Sequence, residues 1–187
     1  MNYDVLIVGT GIAGLYTALN LRDDIRILMI TKNTFRDCNS YLAQGGISTS
    51  LGIFDEESYF NDTMKAGNYH NDTNAVKLLI KNSIKNINTL IKMGVPFDRI
   101  ESKLRYTREG GHSNFRIVHV KDETGKWVTE TLLNIANNKK NITMLENTTL
   151  IDLISKDNIC YGGVLKDYTK TYKVNSKFTI LATGGIG

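Results

Sequence analysis

Residues 5–15 read VLIVGTGIAGL, and their glycines, Gly9, Gly11 and Gly14, are the clearest chemistry-bearing positions in the chain. In the order G-x-G-x-x-G, the first glycine permits a tight turn out of a strand. The second lets the backbone touch a pyrophosphate, and the third lets the next helix pack on the sheet. Thr10, Ile12 and Ala13 fill the positions between, where the first N–H groups of a helix offer partial positive charge to phosphate oxygens. The plainer reading is a strand-to-helix turn with no ligand. Placement after an apolar strand and before a helix favours a dinucleotide.

One part of that fingerprint is missing. An acidic residue about 20 positions on, at the end of the second strand, ordinarily binds ribose hydroxyls. Here Ile30 is followed by Thr31 and Lys32, while Asp23 and Asp24 precede the strand, at its wrong end. The departure argues against a simple nicotinamide-dependent dehydrogenase. Lys32 can meet an adenosine portion by charge or hydrogen bond, and spacing alone leaves an exposed turn lysine equally open.

Two further stretches carry chemistry. Residues 40–47, SYLAQGGI, make a loop with accessible amides around Gly45 and Gly46 and with Ser40 and Gln44 as side-chain donors. Such a loop can cradle phosphate or an aromatic ring edge, although by itself it reads as a flexible surface loop. Residues 107–113, TREGGHS, place Glu109 against a glycine pair, and by spacing alone Glu109 is a surface acid in a charged loop. His119 is read as a hydrogen-bonded core imidazole, provided its strand alternates with Phe115 and Ile117 inward. His112 adjoins the glycine pair and receives no catalytic role, and His70 faces solvent. Three histidines without ligand spacing give no metal site. Cys38 is read as an inert thiol beside the 40–47 loop.

The elements that must position these residues follow from periodicity. Strand 5–8, helix 12–21 and strand 25–30 form a right-handed βαβ unit. A loop with one short helix spans 33–53, and a modest helix spans 55–65. The strongest helix is capped by Asp72 or Thr73, with Val76, Ile80, Ile84, Ile87 and Ile91 inward, and ends at Gly94 and Pro96. Its lysines, Lys77, Lys81, Lys85 and Lys92, form a solvated face. A strand at 115–120 and a helix at 127–137 precede ITML, TTLIDLI, ICYGGVL and KTYKV, expected as an antiparallel meander. A last buried strand, 178–182, enters the glycine turn 183–187. The fold class expected is α/β, a Rossmann-like parallel sheet with an inserted antiparallel meander, in one domain over 1–187.

Composition narrows the function classes. The chain is 41% hydrophobic and 22% charged, ordinary for a globular protein. No apolar run is long enough to span a membrane, so no membrane association is expected. The net charge of +4 comes from scattered lysines and arginines without a basic block, so no nucleic-acid partner is expected. The two cysteines, Cys38 and Cys160, form no disulfide framework, consistent with a cytoplasmic setting.

The ordered set DVLIVGTGIAGL, SYLAQGGI, TREGGHS and LATGG resembles the flavoprotein family containing L-aspartate oxidase, succinate dehydrogenase and fumarate reductase, over nearly the whole chain. The resemblance implies FAD, with the first segment on its pyrophosphate, the AQGG loop along the ribityl chain and isoalloxazine, and the ATGG turn returning to the cofactor. The contacts it implies come from the Gly9–Gly14 turn, Lys32, and Asn39, Ser40, Tyr41, Leu42, Ala43, Gln44, Gly45 and Gly46. Succinate dehydrogenases and fumarate reductases carry a flavin-linked histidine five residues before the Gln of AQGG. Asn39 stands there, so the FAD is expected to be non-covalent. The dicarboxylate enzymes have an apolar residue before the Gly-Gly pair. Glu109 instead suits a substrate bearing an ammonium group, and the stretch looks like that of the L-aspartate oxidases.

What the resemblance implies is oxidation of L-aspartate to iminosuccinate, with oxygen or fumarate as electron acceptor, feeding quinolinate synthase on the route to NAD. Glu109 would recognise the substrate amino group. The family's proton-transferring arginine, carboxylate-binding residues and capping domain lie beyond an ATGG motif. The 187 residues are therefore expected to be the N-terminal portion of a longer enzyme, inactive alone. The alternatives are a succinate dehydrogenase or fumarate reductase flavoprotein and a non-catalytic nucleotide-binding module.

Overall fold

The computed structural model describes residues 1–185; the last two positions of the expected glycine turn lie outside the described residues. In chain order the first elements are β1 (Asn2–Val8), α1 (Ile12–Asn20), β2 (Ile27–Ile30), α2 (Asn39–Leu42), β3 (Ile47–Ser48), α3 (Ile53–Ala66) and α4 (Thr73–Lys92). Then follow β4 (Arg99–Ile100), β5 (Lys103–Leu104), β6 (Tyr106–Thr107), β7 (Ile117–Val118) and α5 (Thr124–Asn137). The chain closes with β8 (Ile142–Leu145), β9 (Thr149–Lys156), β10 (Ile159–Lys166) and β11 (Thr171–Leu181). Contacts divide it into two compact units: Met1–Leu42 with the chain from Val128 onward, and Ala43–Trp127.

The first unit holds a six-stranded sheet in the order β8-β2-β1-β11-β10-β9. β8, β2, β1 and β11 run parallel, and β10 and β9 continue the sheet antiparallel. Every residue of β2 is buried, which is why ILMI reads as an unbroken apolar run rather than an alternating one. Leu6, Val8, Leu28, Ile30, Leu165 and Val174 form one core cluster of this sheet.

Two expectations about the meander are corrected. ITML, expected in it, is β8 and pairs parallel with β2, Ile142 opposite Ile27. A four-residue apolar run carries no mark of strand direction. KTYKV and the following apolar run are one strand, β11, whose start pairs antiparallel with β10 and whose remainder pairs parallel with β1. The polar interruption that suggested a turn is absorbed in the sheet: Asn175 bonds Asn2 at 3.1 Å, and Ser176 Oγ lies 3.0 Å from Thr179 Oγ1.

The second unit is built on α3 and α4, with a small sheet of order β3-β7-β6. Asp72 caps α4 by accepting from the Ala75 N–H at 2.8 Å. The buried stripe is Val76, Ile80, Ser83, Ile87 and Leu90, rather than one through Ile84 and Ile91; Ile84 is 42% exposed. Ser83 takes the inward position because its hydroxyl is satisfied there, accepting from Ser50 N–H and donating to the Ile80 carbonyl. Tyr59 and Met64 of α3 join Val76 and Ile80 in the core of this unit.

Candidate functional site

An open cleft of about 770 Å³ lies in the first unit, at the carboxyl ends of β1, β2 and β11. This is where ligands bind in open α/β sheets. Gly9 to Ala13 line it from the β1–α1 turn, and Thr31 and Lys32 from the end of β2. Asn39 and Ser40 reach it from α2, and Ala182 to Gly185 from the turn after β11. Segments from both ends of the chain therefore meet at one place.

The three glycines differ in what makes them necessary. Gly9 has φ +112°, and a Cβ there would stand 2.1 Å from the Ala182 carbonyl oxygen. At Gly14 a Cβ would stand 2.1 Å from the Gly9 carbonyl oxygen. Both are required by the protein's own packing. At Gly11 a Cβ would meet only the Ser40 hydroxyl, at 3.1 Å, and φ is an ordinary −68°. The backbone conformation does not demand glycine there, and the close neighbour is the end of a side chain.

Other features of the turn fit the diphosphate of a dinucleotide such as FAD. Gly11 begins α1 without a side-chain cap, so the helix start presents backbone N–H groups and positive dipole charge. Ser40 Oγ accepts from the Ile12 N–H at 3.1 Å and pins α2 to this helix start. The Thr10 hydroxyl is buried at the cleft without a partner among the described residues. A group accepting from it would remove the cost of an unpaired hydroxyl, about 1–3 kcal/mol.

Of the other anticipated cofactor residues, Gly14, Tyr41, Leu42, Ala43 and Gly46 do not line this cleft. Sequence reasoning missed Thr148, in the β8–β9 turn, and Thr149 and Leu150, at the start of β9, which also line it. That turn is held by Thr148 N–H donating to Thr31 O at 2.9 Å and Asn147 N–H donating to Asn33 O at 3.0 Å. No motif marks it, because its proximity comes from the parallel pairing of β8 with β2.

Gln44, Gly45 and Glu109 line a different hollow, about 590 Å³, within the second unit. A Cβ on Gly45 would come 3.4 Å from Glu109 Oε1, so the bare backbone leaves room for that carboxylate. Gly46 is tied to packing instead, since its Cβ would lie 2.3 Å from Ile117 Cγ2. The expected alternation around His119 fails. Phe115 is 61% exposed, whereas Arg116, Ile117 and Val118 are buried in succession.

Arg116, wholly buried, is the charged residue that sequence reasoning overlooked. Its guanidinium grips Asp55 through Nε (3.1 Å) and Nη2 (2.7 Å), and reaches Asp62 from Nη1 at 2.5 Å. Nη2 also donates to Ser58 at 2.8 Å, and the group stacks 4.9 Å above the Tyr59 ring. Since a guanidinium only donates, His112 Nδ1, 3.3 Å away, accepts, which leaves the His112 Nε2–H facing Ser48 Oγ at 3.3 Å. Ser113 and Asn114 bond Asp62 and Asp55 in turn. The stretch after Glu109 is thereby fastened to α3.

Burial by itself would raise the pKa of Asp55, but hydrogen bonds from Arg116, Asn114 and the Leu51 N–H outweigh it and hold the carboxyl below its usual value. At Asp62, burial is likewise outweighed, here by Ser113 and Arg116. Arg116 is held charged: burial opposes the charge and the two carboxylates prevail.

Residues 4–187 match the FAD binding domain family. The chain is 53% identical over 185 residues to an L-aspartate oxidase of Clostridium acetobutylicum, covering 98% of this chain and 43% of that one. It is 44% identical to the Clostridium perfringens L-aspartate oxidase, covering 98% and 42% respectively. The chain thus spans about two fifths of these relatives' length. Among solved structures it aligns with a quinol fumarate reductase of E. coli at TM-score 0.94 and 23% identity, over 100% of this chain and 33% of that one. It aligns with the Sdh1 complex of Mycobacterium smegmatis at TM-score 0.91 and 26% identity, over 100% and 35%. The mostly parallel sheet with its antiparallel strands is the fold of that group, and the resemblance drawn from the glycine-bearing motifs is borne out.

Proposed function

Because the chain belongs to the FAD binding domain family, we propose that it is the cofactor-holding part of an enzyme oxidising L-aspartate to iminosuccinate. The observation that carries the reading is the 53% identity to an L-aspartate oxidase across 98% of the chain. Glu109 supports it from within the molecule. A carboxylate over the bare backbone of Gly45 suits an ammonium group and repels a second carboxylate.

In this reading the Gly9–Gly14 turn, Thr10 and Ser40 hold the FAD diphosphate, Lys32 meets the adenosine portion, and residues 39–46 run toward the flavin. FAD, when bound, supplies the two-electron acceptor for the substrate Cα–H. Asn39 lacks the nucleophilic ring nitrogen of the histidine that links flavin in succinate dehydrogenases, so the cofactor is non-covalent. Oxygen or fumarate then takes the electrons, and iminosuccinate passes to quinolinate synthase in the cytoplasm, toward NAD. No helix among the described residues is long and apolar enough to cross a membrane. A succinate- or fumarate-specific flavoprotein shares the fold, but Asn39 and Glu109 both speak against it.

Two measurements test this. Acid precipitation of the purified yellow protein should release all of its flavin into the supernatant; flavin retained in the pellet would contradict Asn39's role. In the flavin-loaded protein that carries this chain, Glu109→Leu should raise KM for L-aspartate roughly 30-fold, the scale of about 2 kcal/mol lost with one partner of a charge pair. An unchanged KM would remove Glu109 from substrate recognition.

A further inference from the structure

We infer that Arg105 takes the side-chain carboxylate of the substrate whose amino group Glu109 receives, so that one stretch of chain reads both ends of L-aspartate. The inference rests on the reading of L-aspartate as substrate and of Glu109 as the partner of its amino group.

Arg105, Thr107 and Glu109 line the same hollow. They are alternate residues of the stretch that contains β6, and an extended chain sends every second side chain to one face. Arg108, between them in sequence, goes elsewhere and stacks 5.4 Å from the Phe115 ring. The stretch is fixed along its length. Arg105 N–H donates to the Asp98 carbonyl at 2.9 Å, Thr107 pairs with Ile117 of β7, and the Glu109 carbonyl accepts from His112 N–H at 3.2 Å.

The arginines of this region differ in what they already hold. Arg99 donates to the Ser102 carbonyl at 2.7 Å, Arg108 lies on Phe115, and Arg116 is buried against Asp55 and Asp62. Arg105 is exposed and has no side-chain hydrogen bond, ion pair or ring contact among the described residues, and the Glu109 carboxylate is equally unpaired. Asp98, also in the hollow, is engaged otherwise: its carboxylate accepts from Lys121 N–H at 3.3 Å and lies 3.4 Å from His119 Nδ1. Arg105 and Glu109 thus face one hollow without neutralising each other, which suits a guest carrying both signs. Residues four apart in an extended chain stand about 13 Å apart, so the two side chains can close from opposite ends on a guest a few atoms long. Of the two carboxylates of L-aspartate, the one on the side chain lies farther from the ammonium and fits that span. The α-carboxylate is left to the carboxylate-binding residues that the resemblance implies beyond the ATGG motif. A guanidinium is the group for the task, since its planar fork offers a carboxylate two parallel N–H bonds.

The test follows anaerobic flavin reduction by L-aspartate in the flavin-loaded protein that carries this chain, which yields an affinity and a limiting rate separately. Arg105→Gln should weaken the affinity roughly tenfold or more, the scale of a lost hydrogen bond to a charged group, and leave the limiting rate within about 3-fold. The affinity for L-asparagine, read from its competition with L-aspartate, should change less than about 2-fold, because its neutral amide lacks the charge that Arg105 meets. Arg105→Lys keeps the charge without the fork and should fall between; it also covers the case in which Arg105→Gln fails to fold. Arg99→Gln removes the same charge from a side chain engaged elsewhere and should leave affinity and rate unchanged. Undiminished affinity for L-aspartate in Arg105→Gln, an equal loss for L-asparagine, or an equal loss in Arg99→Gln would overturn the inference. Wild-type protein whose flavin L-aspartate does not reduce would instead overturn the substrate reading, and the inference with it.

Discussion

The glycine cleft of the first unit and the charged hollow of the second are built on opposite principles. The cleft is made by leaving side chains out, so that backbone from β1, β2 and β11 can approach a ligand. The second unit is made by putting charges in: Asp98, Arg105, Glu109 and Lys121 line the hollow, and elsewhere in the unit Arg116 is bound to the carboxylates of Asp55 and Asp62. Missing side chains show in a sequence as glycine at fixed spacing. Charges that meet only in three dimensions do not. The cleft therefore has a signature, and the hollow has only constituents.

Substitutions sharpen this contrast, and the largest effect falls in the second unit. Arg116→Met leaves the buried Asp55 and the half-buried Asp62 without their cation, and should cost about 3–5 kcal/mol of stability in urea unfolding. A loss below about 1 kcal/mol would show that the cluster holds nothing in place.

In the cleft the glycines should separate. Gly9→Ala forces a Cβ onto the Ala182 carbonyl at positive φ and should destabilise the fold by roughly 2–3 kcal/mol. Gly11→Ala should leave stability within about 0.5 kcal/mol and weaken FAD binding at least about tenfold. Were Gly11→Ala to retain full FAD affinity, the distinction between packing glycines and ligand glycines would fail.

Acid should affect the second unit. Asp55 and Asp62 have lower pKa values folded than unfolded. The unfolded chain therefore binds more protons, and the stability they contribute, complete above about pH 4, is lost as pH falls through the folded values. The paired Asp55→Asn and Asp62→Asn variant should flatten that dependence in unfolding curves measured between pH 3 and 6, on the order of the spacing in ordinary acid titrations.

The smallest effect belongs to Cys38, half-buried and lining the cleft. Its labelling by a thiol reagent should slow a few-fold, roughly, when FAD or ADP occupies the site. Equal rates with and without nucleotide would place the ligand elsewhere.

These same contrasts explain how much could be read in advance. The βαβ unit, the Asp72 cap and the Gly9–Gly14 turn were legible because each is set by neighbours a few residues apart. The direction of β8 was not, since ITML is compatible with either pairing. Nor was the unity of β11, whose polar middle is satisfied by Asn2 of β1 and by Thr179 further along the same strand. The Thr148–Leu150 side of the cleft depends on that same unread pairing. Glu109 could be singled out through family resemblance, whereas the cluster of Arg116 with Asp55 and Asp62 emerges only where the chain folds back on itself.

The most direct test of the substrate reading is anaerobic addition of L-aspartate to the flavin-loaded protein, followed by the visible absorption of the oxidised flavin. L-aspartate should bleach the band, and succinate at the same concentration should leave it standing. A band that persists with L-aspartate, or that succinate bleaches equally well, would contradict the role assigned to Glu109 and the oxidation proposed for this protein.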